Sequence, residues 1–239
     1  MWPFDRKKPL DGTGLLDGWT DMHSHILPGV DDGVRALSHS LEILSFYERA
    51  GIREVWLTPH VMEDIPNTPA SLRERFAELQ AAYEGPLALH LAAEHMLDNL
   101  FEERLAQGEV LPIGADGNHL LVETSYFNPP MDFHPLLERI KAKGWFIVLA
   151  HPERYVYMDD KDYRRLKEMG VKFQLNLPSL AGGYGKPAAR KASALLRKGM
   201  YDCAGSDLHR LSAFRNALSV PSLGRKERER LSDLMQRTI

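Results

Sequence analysis

Asp21-Met22-His23-Ser24-His25, with Asp31-Asp32-Gly33 close behind it, is the stretch on which the reading of this chain turns. Residues 20–25 look like a strand. On a strand, residues two apart share a face, so both imidazoles can reach one ion. Two neighbouring histidines alone are a weak signal. Asp-x-His-x-His followed by Asp-Asp-Gly is a much stronger one. Taken alone, Asp31-Asp32-Gly33 is a turn; beside two histidines, Asp32 can point back toward them.

The same chemistry recurs along the chain. Thr58-Pro59-His60, Ala93-Glu94-His95, Glu123, His151-Pro152-Glu153-Arg154 and Gly205-Ser206-Asp207-Leu208-His209 each follow an apolar or β-branched run. A carboxylate at the end of a buried strand is costly unless it is paired or bound to metal, which singles out Glu94 and Glu123. His151 ends the most apolar run, and Asp207 with His209 repeats the two-apart spacing. Imidazole plus carboxylate without thiolate suits zinc, iron or manganese. The full set is too large for one ion and implies a cluster. His39, His90, His119 and His134 have no such partners and read as surface or packing residues. His95, next to Glu94, should face the other way.

Strands are expected at 20–25, 54–58, 87–92, 120–123, 146–150, 172–175 and 201–204. Several are continuous apolar runs, as in parallel strands buried on both faces. Helical stripes lie between them: Val34, Leu37, Leu41 and Leu44 before Gly51; Leu72, Phe76 and Leu79 behind Thr68-Pro69, an N-cap and first-turn proline; and shorter ones before Gly144, Gly170 and Gly199. These stripes are core faces. Seven β-then-α units imply a closed or nearly closed parallel barrel, with an open doubly wound sheet as the competing topology. His23/His25, His60, Glu94, Glu123, His151 and Asp207/His209 fall at the ends of six different strands. In a barrel those ends ring one mouth, where active sites of such folds lie.

The bulk numbers fit one α/β domain. The 239 residues are 44% hydrophobic and 26% charged, and the formal net charge of −3 argues against a nucleic-acid footprint. No apolar run is long enough for membrane insertion. A single cysteine points to a reducing compartment and a cytoplasmic location. Met1 to Pro9 lacks the apolar core of a secretory signal and reads as a loose arm; the expected division is an N-terminal arm over 1–16 and one domain over 17–239. Residues 225–230 form the solvated face of a closing helix. Cys203 misses the Cys-x5-Arg spacing of a cysteine phosphatase by one residue and lies in an apolar strand, so it is read as an inert thiol. Two loops, 61–70 and 178–190, are expected to shape access, with Tyr126, Phe127 and Tyr184 either flanking an aryl ring or simply packing.

In order, these motifs resemble those of the PHP (polymerase and histidinol phosphatase) superfamily. The opening from Asp21 to Gly33, with His151-Pro152-Glu153-Arg154-Tyr155 and the Ser-Asp-Leu-His motif, is similar to the bacterial capsule and exopolysaccharide type of tyrosine-protein phosphatase. The likeness runs from about Asp17 to about Arg215. It implies a distorted seven-stranded (β/α)7 barrel with three metal ions, manganese or iron, with zinc an alternative. By motif, His23, His25, Glu94 and Asp207 would hold the first ion; Glu94 would bridge to a second, held also by Glu123 and His151; Asp32, His60 and His209 would hold the third. Arg154 matches a phosphate-binding arginine. For a second, Arg215 is the better placed candidate and Arg210 the alternative.

The activity implied is hydrolysis of phosphotyrosine by a metal-activated hydroxide, in the regulation of capsular or exopolysaccharide synthesis. The partner implied is a phosphotyrosine protein, such as the tail of a membrane tyrosine kinase. Two other classes compete: a small-molecule phosphomonoesterase of histidinol-phosphatase type, and a non-catalytic metal-binding module. The His-Ser-His-Ile-Leu-Pro-Gly-Val-Asp-Asp-Gly opening favours the phosphotyrosine reading over the first. The complete set of ligand positions argues against the second.

Overall fold

The computed structural model describes residues 7–239. Among the described residues are nine parallel strand segments and nine α-helices, in chain order: β1 Thr20–Ser24, α1 Leu37–Arg49, β2 Glu54–Leu57, β3 His60–Val61, α2 Pro69–Ala82, β4 Ala88–Leu91, β5 Glu94–Met96, α3 Phe101–Gln107, β6 His119–Glu123, α4 Phe133–Ala142, β7 Phe146–Ala150, α5 Asp160–Glu168, β8 Lys172–Asn176, α6 Leu177–Leu180, α7 Gly185–Lys198, β9 Cys203–Gly205, α8 Leu211–Ser219 and α9 Arg225–Met235. The strands make two sheets, β1-β2-β4 and β3-β5-β6-β7-β8-β9, every pairing parallel. Among the described residues no helix is long and apolar enough to cross a membrane.

Two expected strands are broken in the middle. The run over 54–58 stops at Leu57, and pairing resumes at His60. The run over 87–92 stops at Leu91, and pairing resumes at Glu94. Pro59 has no N–H to donate to a ladder, so the first break falls where sheet pairing is weakest. The two segments bend in step: Ala92 N–H donates to Leu57 O at 2.9 Å, and Glu94 N–H to Pro59 O at 3.0 Å. His60 and Glu94 therefore sit on strand segments of the second sheet and not beyond the strand ends of the first. At the other edge, Asp207 N–H donates to His23 O (2.7 Å) and His25 N–H to Leu208 O (3.1 Å), joining β9 to β1.

Packing follows the strand periodicity. One side chain or more from β1, β6, β7 and β9 (Met22, Leu121, Val148, Ala150, Cys203) meets Ala92 and Ile113 in a small apolar layer on the inner face. The helices cover the outer face: Ile43, Leu44 and Tyr47 of α1, Leu136, Leu137 and Ile140 of α4, and Leu195 and Leu196 of α7 are buried. The helix signals hold in detail. The Thr68 hydroxyl accepts from Ser71 N–H at 3.2 Å with Pro69 in the first turn, and Gly199 closes α7 at φ 67°.

Two expectations need correction. The loop over 178–190 is largely helix, since α6 ends at Leu180 and α7 begins at Gly185. Its glycines make only a tight turn, with Gly183 N–H donating to Pro178 O at 3.0 Å. The short helices α3, α6 and α8 have no long apolar stripe and leave little sequence signal. Of the arm read as loose, Met1 to Pro9, residues 1–6 lie outside the described residues and the remainder is tied to the domain. Lys8 N–H donates to Leu223 O (3.0 Å) and Asp11 N–H to Leu218 O (3.0 Å), with Leu10 and Leu16 buried.

Candidate metal centre

His23 enters from β1 and His25 just past its end, and their Nε2 atoms lie 3.1 Å apart. Around them, His23 Nε2 is 3.2 Å from Glu94 Oε2 and 3.6 Å from Asp207 Oδ1. His25 Nε2 is 3.4 Å and 3.3 Å from the same two atoms. His60 Nδ1 is 3.1 Å from Glu94 Oε2 and 3.0 Å from Glu123 Oε1. His151 Nε2 is 2.9 Å from Glu94 Oε1. His209 Nε2 and His60 Nε2 face Asp32 Oδ1 at 3.3 Å and 3.6 Å. All nine residues expected as ligands thus meet in one cluster. His95 faces away, its Nε2 accepting from Leu111 N–H at 3.3 Å.

The donor atoms fall into four overlapping groups: His23/His25/Asp207, His23/Glu94/His151, His60/Glu94/Glu123, and His25/Asp32/His60/His209. Glu94 and Glu123 are buried, as are His23, His25, His151 and Asp207. His60 Nδ1, Glu94 Oε2 and Glu123 Oε1 are buried with no hydrogen bond within normal geometry, the imidazole nitrogen 3.1 Å and 3.0 Å from the two oxygens. Buried donor atoms that converge on one spot are what a cation requires, and hard oxygen plus imidazole is the donor set of manganese, iron or zinc. The residues present fit divalent metal.

Protonation tells the same story. Burial disfavours the charged imidazole of His23, but Glu94 and Asp207 outweigh it and raise its pKa. Burial and the neighbouring His25 oppose protonation of His60, and Glu94 with Glu123 still lifts it to about 10. Burial opposes ionisation of Glu94, yet His23 and His60 hold it well below the usual carboxylate range; His23 and His25 do the same for Asp207. The cluster attracts positive charge, and metal entering it would release protons.

Local structure forces the convergence. A Cβ on Gly205 would lie 2.5 Å from His23 Cβ, and one on Gly33 would lie 2.4 Å from His25 O. Only glycine lets β9 lie against β1 and the Asp31-Asp32 turn fold onto His25. Among the described residues, the two non-glycine positions at positive φ are His151 (34°) and Asp207 (49°), both in the cluster. Such backbone costs on the order of 1–3 kcal/mol each and persists only when the surroundings impose it.

Several residues that hold the cluster were not anticipated. Asp21 accepts from Ser206 N–H (2.7 Å), His23 N–H (3.2 Å) and Tyr47 O–H (2.6 Å); burial, outweighing these bonds, lifts its pKa to about 6. Asp31 binds His25 Nδ1 (2.8 Å) and accepts from His60 N–H (3.1 Å). Gln174 Oε1 accepts from His23 Nδ1 (2.9 Å) and His151 N–H (3.2 Å). Asn176 donates to Asp207 Oδ2 at 2.7 Å. The last two had a signal: Phe173-Gln174-Leu175-Asn176 sets two amides two apart in a buried strand, the same pattern that marked His23 and His25.

Arg154 stands beside this cluster. Its guanidinium lies between the rings of Tyr126 (4.3 Å) and Tyr184 (4.0 Å) and donates to Asp207 Oδ2 at 2.7 Å. Tyr184 O–H also donates to that oxygen, at 3.0 Å. The two tyrosines therefore flank an arginine, while Phe127 is exposed. Arg215 is exposed and stacks on Phe46 at 4.7 Å. Two cavities meet at Asp32, His209 and Arg210. One, of about 340 Å³, contains Arg154, Tyr184 and Asp207; the other, of about 580 Å³, contains Arg215. Cys203 is buried in β9 with its thiol pushed up by burial and by Asp202, so it is no nucleophile.

The family model for capsular polysaccharide synthesis, CpsB/CapC, matches residues 19–221. The chain belongs to the CpsB/CapC family. Tyrosine-protein phosphatase YwqE of Bacillus subtilis (strain 168) is 30% identical over 220 residues, covering 90% of this chain and 86% of that protein. Tyrosine-protein phosphatase CpsB of Streptococcus pneumoniae is 30% identical over 206 residues, covering 81% of this chain and 84% of CpsB. A chain from the crystal structures of YwqE and CpsB, metal-dependent tyrosine phosphatases, superposes with a TM-score of 0.75 at 29% identity, covering 82% of this chain and 81% of that one. The fold shared with it is a single α/β domain built on a curved parallel sheet.

Proposed function

We propose that this protein is a metal-dependent protein-tyrosine phosphatase acting in the regulation of capsular or exopolysaccharide synthesis. The observation that carries the reading is the meeting of nine imidazoles and carboxylates beside a caged arginine, in a chain 30% identical to YwqE and CpsB. We count the two sheets as one distorted (β/α)7 barrel, with β2 running on into β3 and β4 into β5. Residues 17–239 form the phosphatase domain and 1–16 its arm. The location is cytoplasmic and the substrate a phosphotyrosine protein, such as the tail of a membrane tyrosine kinase.

Three ions, manganese or iron with zinc as the alternative, are assigned as follows. His23, His25, Glu94 and Asp207 would hold the first; Glu94, Glu123 and His151 the second; Asp32, His60 and His209 the third. The proximity of His25 to the third group and of His60 to the second reflects how closely the sets share space. When bound, such ions acidify water and neutralise phosphate charge.

The chain's own residues do the rest. The planar fork of Arg154 matches a pair of phosphate oxygens, and stacking between Tyr126 and Tyr184 fixes the plane in which it is offered. Asn176 and Tyr184 hold Asp207 Oδ2, leaving Oδ1 facing His23 and His25. Arg215, or Arg210 at the junction of the cavities, supplies the second guanidinium. A phenolate leaves readily, so no strong general acid is required. The test compares a phosphotyrosine peptide with histidinol phosphate after chelation and metal add-back. Preference for the peptide is expected; preference for histidinol phosphate would move the chain to the small-molecule class.

A further inference from the structure

The mechanism above uses the smaller cavity and, of the larger one, only the end at Arg210 and Arg215; Arg35 and His39 are left without a role. Beyond the Asp32–His209 end of the cluster, the 580 Å³ cavity is walled by Arg35, His39, Arg210 and Arg215. Its carboxylates are Asp32, already facing His60 and His209, and Glu42. The guanidiniums of Arg35 and Arg210 make no hydrogen bond or ion pair among the described residues, and Arg215 only stacks on Phe46. Three guanidiniums without a carboxylate partner thus share one cavity wall, in a chain whose net charge is −3. The cavity is concave, contiguous with the metal centre at Asp32 and His209, and does not include Arg154 in its lining. An arginine fork left unpaired in a pocket is matched by a carboxylate or a phosphate.

We infer that this cavity is a subsite for an anionic residue flanking the scissile phosphotyrosine, so that the preferred substrates are acidic or multiply phosphorylated peptide segments. The inference rests on the phosphatase reading and adds the substrate class. Arg35 is its clearest member, because it lies in the cavity wall, outside the metal ligands and the phosphate-binding arginines assigned above. Each exposed ion pair contributes little alone, so the preference should be modest, about three- to tenfold in kcat/KM for several converging charges. It should also shrink as salt screens it.

The experiment uses the metal-loaded full chain and four peptides carrying one phosphotyrosine, flanked on both sides by alanine, glutamate, lysine or a second phosphotyrosine. The wild type should hydrolyse the glutamate and doubly phosphorylated peptides fastest and the lysine peptide slowest. Arg35→Glu should erase or invert that order while leaving kcat/KM on the alanine peptide unchanged. A gain confined to the doubly phosphorylated peptide would assign the subsite to phosphate; a gain for both assigns it to either anion. Equal rates on all four peptides would overturn the inference alone. An equal loss by Arg35→Glu on every peptide would overturn it too, because the residue would then be structural. No hydrolysis of any phosphotyrosine peptide would overturn the phosphatase reading and this inference with it.

Discussion

Replacing Gln174 by Met tests whether the cluster depends on what stands behind it. Gln174 Oε1 accepts from His23 Nδ1 at 2.9 Å and from His151 N–H at 3.2 Å, and its amide donates to Leu175 O at 2.6 Å. These bonds fix the amide's orientation, so the proton of His23 must sit on Nδ1. In the neutral ring the lone pair is then on Nε2, the atom that would meet a metal beside Glu94 and Asp207. Methionine keeps the length but removes the acceptor, leaving two buried donors unsatisfied at a cost of about 1–3 kcal/mol each. Thermal stability of the chelated protein should fall accordingly. His23 would also be free to adopt the wrong tautomer, and loss of such an orienting bond typically weakens metal affinity about 10–100-fold. The assay is reactivation of chelated enzyme by graded metal. The half-maximal metal concentration should rise by that factor, with activity largely recovered at saturation. A folded Gln174→Met protein that reactivates at the wild-type metal concentration would refute the reasoning.

Other expected outcomes follow from single contacts. Arg154→Ala should retain full metal content, measured by elemental analysis, while losing on the order of 2–4 kcal/mol of transition-state stabilisation in kcat/KM. Near-normal kinetics would reduce Arg154 to an ion pair with Asp207. Cys203→Ser should leave activity on a phosphotyrosine peptide largely intact; loss of several orders of magnitude in a folded protein would restore the thiol as nucleophile. His119 is buried against Phe146, and burial, helped by Lys172, lowers its pKa from 6.5 to about 4. The unfolded chain therefore binds its proton first, and stability should be lost as pH falls from about 6.5 toward 4. Urea midpoints across that window should flatten in His119→Leu.

The site was more legible in the sequence than the fold around it. Metal-ligating side chains announce themselves by type, and His23/His25 and Asp207/His209 by spacing, whatever the backbone does between them. The parallel strands were readable from apolar runs, but the breaks at Thr58-Pro59 and Ala92-Ala93 were not, because a bent strand keeps the composition of a straight one. The access loop over 178–190 misled for the opposite reason: its run of glycines reads as loop, while Ala188, Ala192, Leu195 and Leu196 make the buried face of α7. Tyr126 and Tyr184 were visible as aromatics near the mouth. That their rings enclose Arg154 depends on three distant segments meeting, which no local pattern encodes. The supporting amides Gln174 and Asn176 lay within reach of the strand-alternation argument.

The central claim is that phosphotyrosine hydrolysis depends on ions held by this cluster. The most direct measurement is phosphate release from a phosphotyrosine peptide by purified protein, before chelation, after it and after add-back of manganese, iron or zinc, with metal per chain determined at each stage. The account predicts more than one ion per chain at the start, loss of both metal and activity on chelation, and their joint return. A chelated protein free of metal and still fully active would contradict it.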